Sequence, residues 1–220
     1  MMLILQDAMR TLLLTSLCLT VTIPAFAQYS DEIHHNNISV GGGAAIPVGS
    51  TAGYLNTAPA FSVSYGYRVN RFFQADAGFQ MAFGAANNQN LEQTDFGEVQ
   101  GGDHEYMLPL GGRFIIPLPF RRLEASAGGG GVYLHYAETA PSGGYAGYSS
   151  NCYTCTSRGG WGGYGLANLS YFLDRNRTFH VGTTLEFIAG STNGQAVADI
   201  PSTKTTDHWT NIFIEFGMSF

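Results

Sequence analysis

The segment Phe73-Gln74-Ala75-Asp76-Ala77-Gly78-Phe79-Gln80-Met81-Ala82-Phe83 decides the fold, because every odd-numbered position in it is apolar. Its even-numbered positions are Gln, Asp, Gly, Gln and Ala. Successive side chains of a β-strand point to opposite faces, so this pattern predicts a strand with one apolar face and one polar or small face. Elsewhere in the mature chain, too, the strand period fits better than the helical period.

The same alternation recurs along the chain in segments of about ten residues. The apolar positions of the clearest repeats are Phe61, Val63, Tyr65 and Tyr67; Tyr106, Leu108, Leu110, Phe114 and Ile116; Phe179, Val181, Leu185 and Phe187; and Ile212, Ile214, Phe216, Met218 and Phe220. Three weaker strands are predicted at residues 38–46, 123–136 and 164–173. These segments together predict an all-β fold, an eight-stranded antiparallel up-and-down transmembrane barrel.

The connections between the predicted strands alternate between short and long. Short turns are predicted at residues 68–71, 117–122 and 174–177, and long loops near 47–57, 84–103, 137–160 and 190–207. Short periplasmic turns with long external loops are typical of outer-membrane barrels. Aromatic residues near both ends of the strands predict two interfacial girdles, which at the long-loop end include Phe83, Tyr106, Tyr133, Tyr164 and Trp209.

The composition agrees with a membrane barrel and argues against several other classes. Charged residues make up 12% of the chain, about half the average for soluble domains. The chain has 29 glycines, and small residues suit a narrow lumen. Its net charge of −6 and the lack of a basic stripe argue against a nucleic-acid partner.

The first 27 residues resemble an export signal. An apolar run that begins at Leu12 ends in Ala25-Phe26-Ala27, which predicts cleavage between Ala27 and Gln28. The alternative is an uncleaved anchor helix, but the run is short of the roughly 20 residues that a helical span needs. We therefore expect residues 1–27 to be a signal peptide and residues 28–220 to be the barrel domain.

The last strand carries a family resemblance. Its outward residues Phe216, Met218 and Phe220 resemble the terminal strand by which the barrel-assembly machinery recognises bacterial outer-membrane proteins. With the signal peptide and eight strands, the chain resembles the small outer-membrane barrels that include the OmpA membrane domain, OmpX and OmpW. The resemblance covers residues 28–220 as an architecture. It implies the outer membrane of a Gram-negative-type bacterium, and contact with outer-membrane lipid, lipopolysaccharide and the assembly machinery.

The predicted register turns a set of charged side chains toward the lumen. Arg113 is expected to be the one inward Arg or Lys of the strands, with Asp76 and Glu124 diagonally beside it on the neighbouring strands. Together with Glu215 these residues form a predicted ionic network; Glu105, Glu186 and His180 also point inward. The network would plug the lumen, because a narrow barrel of about eight strands is filled by its own side chains. A gated pore is the alternative.

Cys152 and Cys155 lie close together in the third long loop and predict a disulfide, because exported proteins meet an oxidising compartment. A redox site would need a thioredoxin-like βαβ setting, and a zinc site would need two further ligands. The glycine runs at residues 41–43 and 128–131 lack the Lys-Ser/Thr of a phosphate loop, and residues 159–165 read as a flexible rim. No metal or cofactor is expected.

The sequence leaves three functions open. A structural or surface-interaction role through the external loops is the preferred one, with a narrow pore for small or hydrophobic solutes as the alternative. His208-Trp209-Thr210-Asn211 is faintly similar to the His-x-Ser-Asn segment of lipid A deacylases, with His208 and Thr210 predicted on the lipid-facing side and Asp207 adjacent. No later strand remains to supply an acid in family order, so we expect no enzyme.

Overall fold

The computed structural model describes residues 33–85, 91–94, 97–100, 102–141, 152–197 and 200–220. The strands are β1 (Asn36–Pro47), β2 (Ala58–Arg68), β3 (Phe73–Phe83), β4 (Leu91–Thr94), β5 (Gly97–Gln100), β6 (Gly102–Pro117), β7 (Leu123–Pro141), β8 (Cys152–Phe172), β9 (Phe179–Gly194) and β10 (Thr205–Ser219). One 3-10 turn, Thr51–Gly53, lies between β1 and β2. The predicted signal peptide and its cleavage site at Ala25, Ala27 and Gln28 lie outside the described residues.

Eight of these strands form a closed antiparallel barrel in the order β1-β10-β9-β8-β7-β6-β3-β2. The first and last strands close the ring over a register that runs from Asn37 opposite Ser219 to Pro47 opposite Trp209. Closure leaves no strand with an unpaired edge, which is the condition for crossing hydrocarbon as a sheet. The predicted eight-stranded fold is confirmed.

The two ends of the barrel differ as predicted. Short turns join β2 to β3, β6 to β7 and β8 to β9, while long connections join the strands at the opposite end. Asn36 and Phe220 exchange backbone hydrogen bonds of 2.8 and 2.9 Å at the short-turn end, so both ends of the barrel domain lie there. The small hairpin of β4 and β5 lies within the second long connection. By the outer-membrane arrangement, the short-turn end is periplasmic and the long-loop end external.

The outer face of the barrel is apolar. Every second residue of a strand points outward, and the large apolar side chains at these positions are exposed, for example 68% for Leu110 and 67% for Ile214. Other exposed members are Val40, Phe61, Tyr65, Phe73, Leu108, Phe114, Leu169, Val181, Leu185, Phe187, Ile212 and Phe216. Such a surface is unfavourable in water and favourable in a lipid bilayer.

None of the helices in the described residues is long and apolar enough to cross a membrane.

Two strands are longer than the sequence predicts. Strand β7 runs to Pro141 instead of residue 136, and β8 begins at Cys152 instead of residue 164. The glycine-rich residues 159–165, predicted as a flexible rim, therefore lie inside β8. Their glycines permit close strand contact, since a Cβ atom on Gly160 would lie 1.8 Å from the Ser191 carbonyl oxygen.

Candidate functional site in the barrel lumen

The external half of the lumen holds an apolar layer together with the buried polar residues Glu105, Arg158 and Asp207, and the periplasmic half is a polar layer. The external layer contains large side chains that are at most 1% exposed. They are Met107, Leu134, Tyr136, Ile188, Trp209 and Phe213. Residues from β6, β7, β9 and β10 thus meet across the lumen and fill it. The strand pattern predicts a polar lumen, and this apolar layer differs from that prediction.

Trp209 corrects the predicted external girdle. It is fully buried in the lumen, where its Nε1–H donates a hydrogen bond of 2.9 Å to the Tyr136 hydroxyl. Tyr164, at 8% exposed, and Phe172, at 2%, also lie inward. The reason is strand parity: His208 and Thr210 point outward, so the residue between them points inward. Aromatic type suggested the girdle, but register decides the face.

Asp76 and Arg113 form an ion pair in the polar layer. The Arg113 Nε–H donates to Asp76 Oδ2 at 2.7 Å, and the two side chains are 15% and 6% exposed, respectively. Asp76 on β3 is opposite Gly111 of β6, and Arg113 on β6 is opposite Gln74 of β3 and Gly128 of β7. The two glycines leave room for the two long side chains.

Glu124 has different partners from the ones predicted. Its two carboxylate oxygens accept hydrogen bonds from Arg68 at 2.6 Å and from Arg177 at 2.5 Å, so the expected pair with Arg113 is replaced. Arg68 ends β2 and Arg177 lies in the turn after β8, and both reach inward from the periplasmic rim. Arg113 is therefore not the single cation directed inward. Arg68 continues the inward even-numbered series of β2, so its direction could be predicted, whereas Arg177 lies in a turn without strand parity.

The remaining acidic residues bridge the lumen through amides and hydroxyls. Glu215, the fourth member of the predicted network, accepts from the Thr184 hydroxyl at 2.7 Å and from the Asn168 amide at 3.3 Å. Gln80 donates to Glu186 at 2.9 Å, and its carbonyl oxygen accepts from Asn211 at 2.9 Å. Gln80 is on β3, which is not a neighbour of β9 or β10 in the ring, so these bonds cross the barrel. Glu105 and His180 are also buried and face inward.

Arg158 is a buried cation that was not among the predicted site residues. It is 2% exposed at the external end of β8. Its guanidinium donates to the Thr192 and Thr205 hydroxyls and to backbone carbonyl oxygens, including those of Pro201 and Thr203. These bonds fasten the β9–β10 connection across the barrel end. Extending the even-numbered inward series of β8 upward from Tyr164 would have found it.

The space left in the polar layer is small. Two cavities of about 30 and 10 Å³ are lined there, and both contact Arg113 and Glu215. A cavity of roughly 10–15 Å³ holds a single water molecule. These two cavities therefore have room for isolated water molecules.

The predicted disulfide and the predicted assembly signal are not tested by the described side chains. The backbones of Cys152 and Cys155 belong to β8, but their side chains lie outside the described part, so the disulfide stays a prediction. Phe216, Met218 and Phe220 all point outward, and their role in assembly also stays a prediction. No group of three or more His, Cys, Asp or Glu side chains in the described ranges is placed to hold a metal ion.

Asp207 and His208 lie on opposite faces of β10. The His208 ring stacks on the outward Phe187 with the ring centroids 6.3 Å apart. Asp207 is buried on the inward side, so it does not share a face with His208 and Thr210. The positions opposite His208 and Thr210 hold Ala189, Phe187 and Ile46, which carry no acidic or basic group.

Among known proteins, only solved structures are similar to this chain. No protein-family model matches the chain, and no curated protein matches it. It is similar to Ail, the attachment invasion locus protein of Yersinia pestis, at 13% identity over 84% of this chain and 100% of that one, with a TM-score of 0.48. It is similar to Neisserial surface protein A at 11% identity over 84% of this chain and 97% of that one, with a TM-score of 0.47. It is similar to a major outer membrane protein from Thermus thermophilus at 10% identity over 85% of this chain and 100% of that one, with a TM-score of 0.49.

The class of the protein follows from its own strand pairing and surface. Its ring of eight antiparallel strands is closed, its outer face is apolar and its lumen is filled. Short turns at one end and long connections at the other complete the arrangement. The chain is a small outer-membrane β-barrel of the architecture shared by the OmpA membrane domain and OmpX.

Proposed function

We propose that this barrel is a structural and surface-interaction protein, which holds external loops above the outer membrane and conducts no solute. The observation that carries the proposal is the filled lumen. Trp209 and Tyr136 close its external half, and hydrogen bonds from Gln80 to Glu186 and from Asn211 to Gln80 cross it. An open pore would need these groups to separate, and each buried hydrogen bond that was left unmade would cost about 1–3 kcal/mol.

The β7–β8 hairpin supports a role at the external surface. Strands β7 and β8 have 19 and 21 residues, against 11 in β2 and in β3. A membrane-spanning strand needs about 9–11 residues, so roughly ten residues of each long strand are available to project beyond the bilayer. Projecting loops on a rigid scaffold are common sites of binding.

The sequence between β7 and β8 fits a binding surface. Residues 142–151 consist only of Ser, Gly, Tyr, Ala and Asn. Tyr supplies contact area at low entropic cost, and Ser, Gly and Asn supply adaptable hydrogen bonding, as in antibody loops. We propose an extracellular ligand that binds through these loops, without a catalytic or cofactor-dependent step.

Conductance in planar lipid bilayers tests the closed lumen. The unaltered protein should insert without producing discrete current steps. The double variant Gln80→Ala/Asn211→Ala, which removes two bonds across the lumen, is the comparison and should admit transient openings. Steady steps from the unaltered protein would contradict the closed lumen and favour the narrow-pore alternative.

Shortening the hairpin tests the interaction role. Ala137 pairs with Ser157, so replacing residues 138–156 by Asn-Gly leaves a two-residue turn that closes the same register. Cells that display the full protein should aggregate and adhere to polystyrene, and cells that display the shortened barrel at equal abundance should not. Equal behaviour of the two would contradict a role of this hairpin in adhesion.

A further inference from the structure

Positive charge is concentrated at the periplasmic end of the barrel. Six of the ten Lys and Arg residues of the chain belong to the three short turns and the strand residue that leads into one of them. They are Arg68, Arg71, Arg121, Arg122, Arg175 and Arg177. The same turns contain a single acidic residue, Asp174.

Four of these arginines are exposed. Arg68 and Arg177 reach into the lumen to Glu124, whereas Arg71, Arg121, Arg122 and Arg175 are exposed. Within the part of the chain that the structure describes, the three ion pairs use Arg68, Arg113 and Arg177. The exposed four, which we call the arginine collar, therefore present their charge to the surroundings of the barrel.

Aromatic contacts place two members of the collar, Arg71 and Arg122, at the edge of the apolar band. The Arg71 guanidinium lies 5.4 Å from the centre of the Phe72 ring. The Arg122 Nη1–H donates to the hydroxyl of Tyr171, an outward residue that is 44% exposed, at 3.3 Å. Phe120, beside Arg121 in the same turn, is 64% exposed. Aromatic rings next to basic groups are typical of the lipid headgroup level, where long cationic side chains reach toward phosphate.

The external end of the barrel lacks a matching set of cations. Arg158 is buried there and donates to threonines and carbonyl oxygens, which leaves Lys204 as the exposed cation among the described residues of that end. The sequence of the second long loop adds Glu92, Asp95 and Glu98. The basic collar is thus specific to one end and is not a general property of the barrel rims.

We propose that the arginine collar binds the phosphate groups of anionic phospholipids in the periplasmic leaflet of the membrane. A guanidinium matches phosphate geometry with paired N–H donors, and each cation near an anionic leaflet adds to the attraction. The inference rests on the orientation of the barrel in the membrane. It is independent of any ligand of the external loops, so either can fail without the other.

Lipid selectivity in vesicles tests the collar. The full protein is reconstituted into phosphatidylcholine vesicles that contain a trace of spin-labelled phosphatidylglycerol or spin-labelled phosphatidylcholine, and the immobilised fraction of each is measured. Both leaflets have one composition, so the direction of insertion does not matter. We expect a preference of about threefold for phosphatidylglycerol at low salt, which falls as salt screens the charges.

The quadruple variant R71Q/R121Q/R122Q/R175Q should lose this preference, while K204Q, which removes a cation from the opposite end, should keep it. All five side chains are exposed, and circular dichroism checks that each variant keeps its sheet. The proposal is overturned if the unaltered protein shows no preference, if the quadruple variant retains it, or if K204Q loses it equally. Co-sedimentation with purified cell-wall sacculi in the absence of lipid preference would assign the collar to that anionic polymer instead.

Discussion

At the scale of single residues, the Asp76–Arg113 pair follows from strand parity and from the glycines opposite it. Both side chains are nearly buried, and Arg113 Nε lies 2.7 Å from Asp76 Oδ2. A buried ion pair adds little compared with two apolar side chains, but the loss of one partner leaves an uncompensated charge. The pair should therefore matter most when it is broken on one side.

We predict that Asp76→Asn lowers the free energy of unfolding by about 3 kcal/mol, the range for a broken buried pair. The double variant Asp76→Asn/Arg113→Gln should lose clearly less than the sum of the two single variants. Denaturant unfolding of the barrel in detergent micelles measures this coupling. The Arg113/Glu124 cycle is the control, because Glu124 binds Arg68 and Arg177, and its coupling should be near zero. Equal coupling in the two cycles would contradict the observed pairing.

Asp174 gives a residue-scale prediction of pH dependence. The backbone N–H groups of Phe179, at 2.8 Å, and Thr178, at 3.0 and 3.1 Å, donate to its carboxylate. These bonds hold the pKa of Asp174 below its ordinary value. Because the pKa is lower in the folded state, the ionised carboxylate stabilises the barrel above the unfolded pKa of about 3.9 and ceases to do so as the pH falls through the folded pKa.

The variant Asp174→Asn should accordingly unfold at lower denaturant concentration than the unaltered protein at neutral pH. The difference should shrink in strong acid, where Asp174 is protonated. The neighbouring change Arg175→Gln is the control and should show no such pH-dependent difference. A gap between Asp174→Asn and the unaltered protein that persists undiminished in acid would rule out the assigned role of the carboxylate.

The residue scale also shows what the sequence could and could not predict. Asp76, Arg113 and Glu215 point inward as predicted, because strand parity alone decides the face of a strand residue. Of the two partners of Glu124, Arg68 follows the parity of β2, whereas Arg177 could not be predicted because it lies in a turn without strand parity. For Trp209, strand parity predicts an inward direction. The preference of aromatic residues for membrane interfaces led instead to its prediction in the external girdle.

At the scale of elements, the alternation of apolar and polar residues predicts where the strands lie, but it does not predict where β7 and β8 end on the external side. A strand of alternating apolar residues is visible only where it crosses lipid, because above the bilayer both faces of β7 and β8 are polar or glycine-rich. Glycine runs are also typical of flexible segments, and for that reason the sequence predicts a flexible rim at residues 159–165. That prediction is wrong, because these residues lie inside β8. In the barrel these glycines allow close contact between strands, which depends on the neighbouring backbone and is not visible in one segment.

The glycines give a prediction at this scale. A Cβ atom on Gly128 would lie 2.2 Å from the Gly112 carbonyl oxygen and 2.5 Å from the Arg113 Cα, so β6 and β7 would have to separate. We expect Gly128→Ala to lower the free energy of unfolding by about 1–3 kcal/mol, the range for overpacking. Gly42→Ala is the matched control, since Gly42 is exposed on the outer face with no atom within 4 Å of its added Cβ. Equal losses in the two variants would contradict the close approach of β6 and β7.

At the scale of the whole molecule, the closed ring was predictable and the filling of its lumen was predictable only in part. An even strand count, alternating loop lengths and the impossibility of an open edge in lipid together require closure. The external apolar layer requires contacts between residues far apart in sequence, such as Tyr136 on β7 and Trp209 on β10. No pattern within one segment reports which side chains meet across a lumen.

The two tryptophans of the chain provide the most direct test of a barrel with lipid outside and no open water path inside. Trp161 is 70% exposed on the outer face, and Trp209 is fully buried in the lumen. Each is studied alone, in the variants Trp209→Phe and Trp161→Phe, by fluorescence quenching in lipid vesicles. Acyl chains brominated close to the headgroup should quench Trp161, which lies where β8 leaves the apolar band, while Trp209 should resist both brominated lipid and aqueous acrylamide. Strong quenching of Trp209 by acrylamide, or a Trp161 that brominated lipid leaves unquenched, would contradict the account.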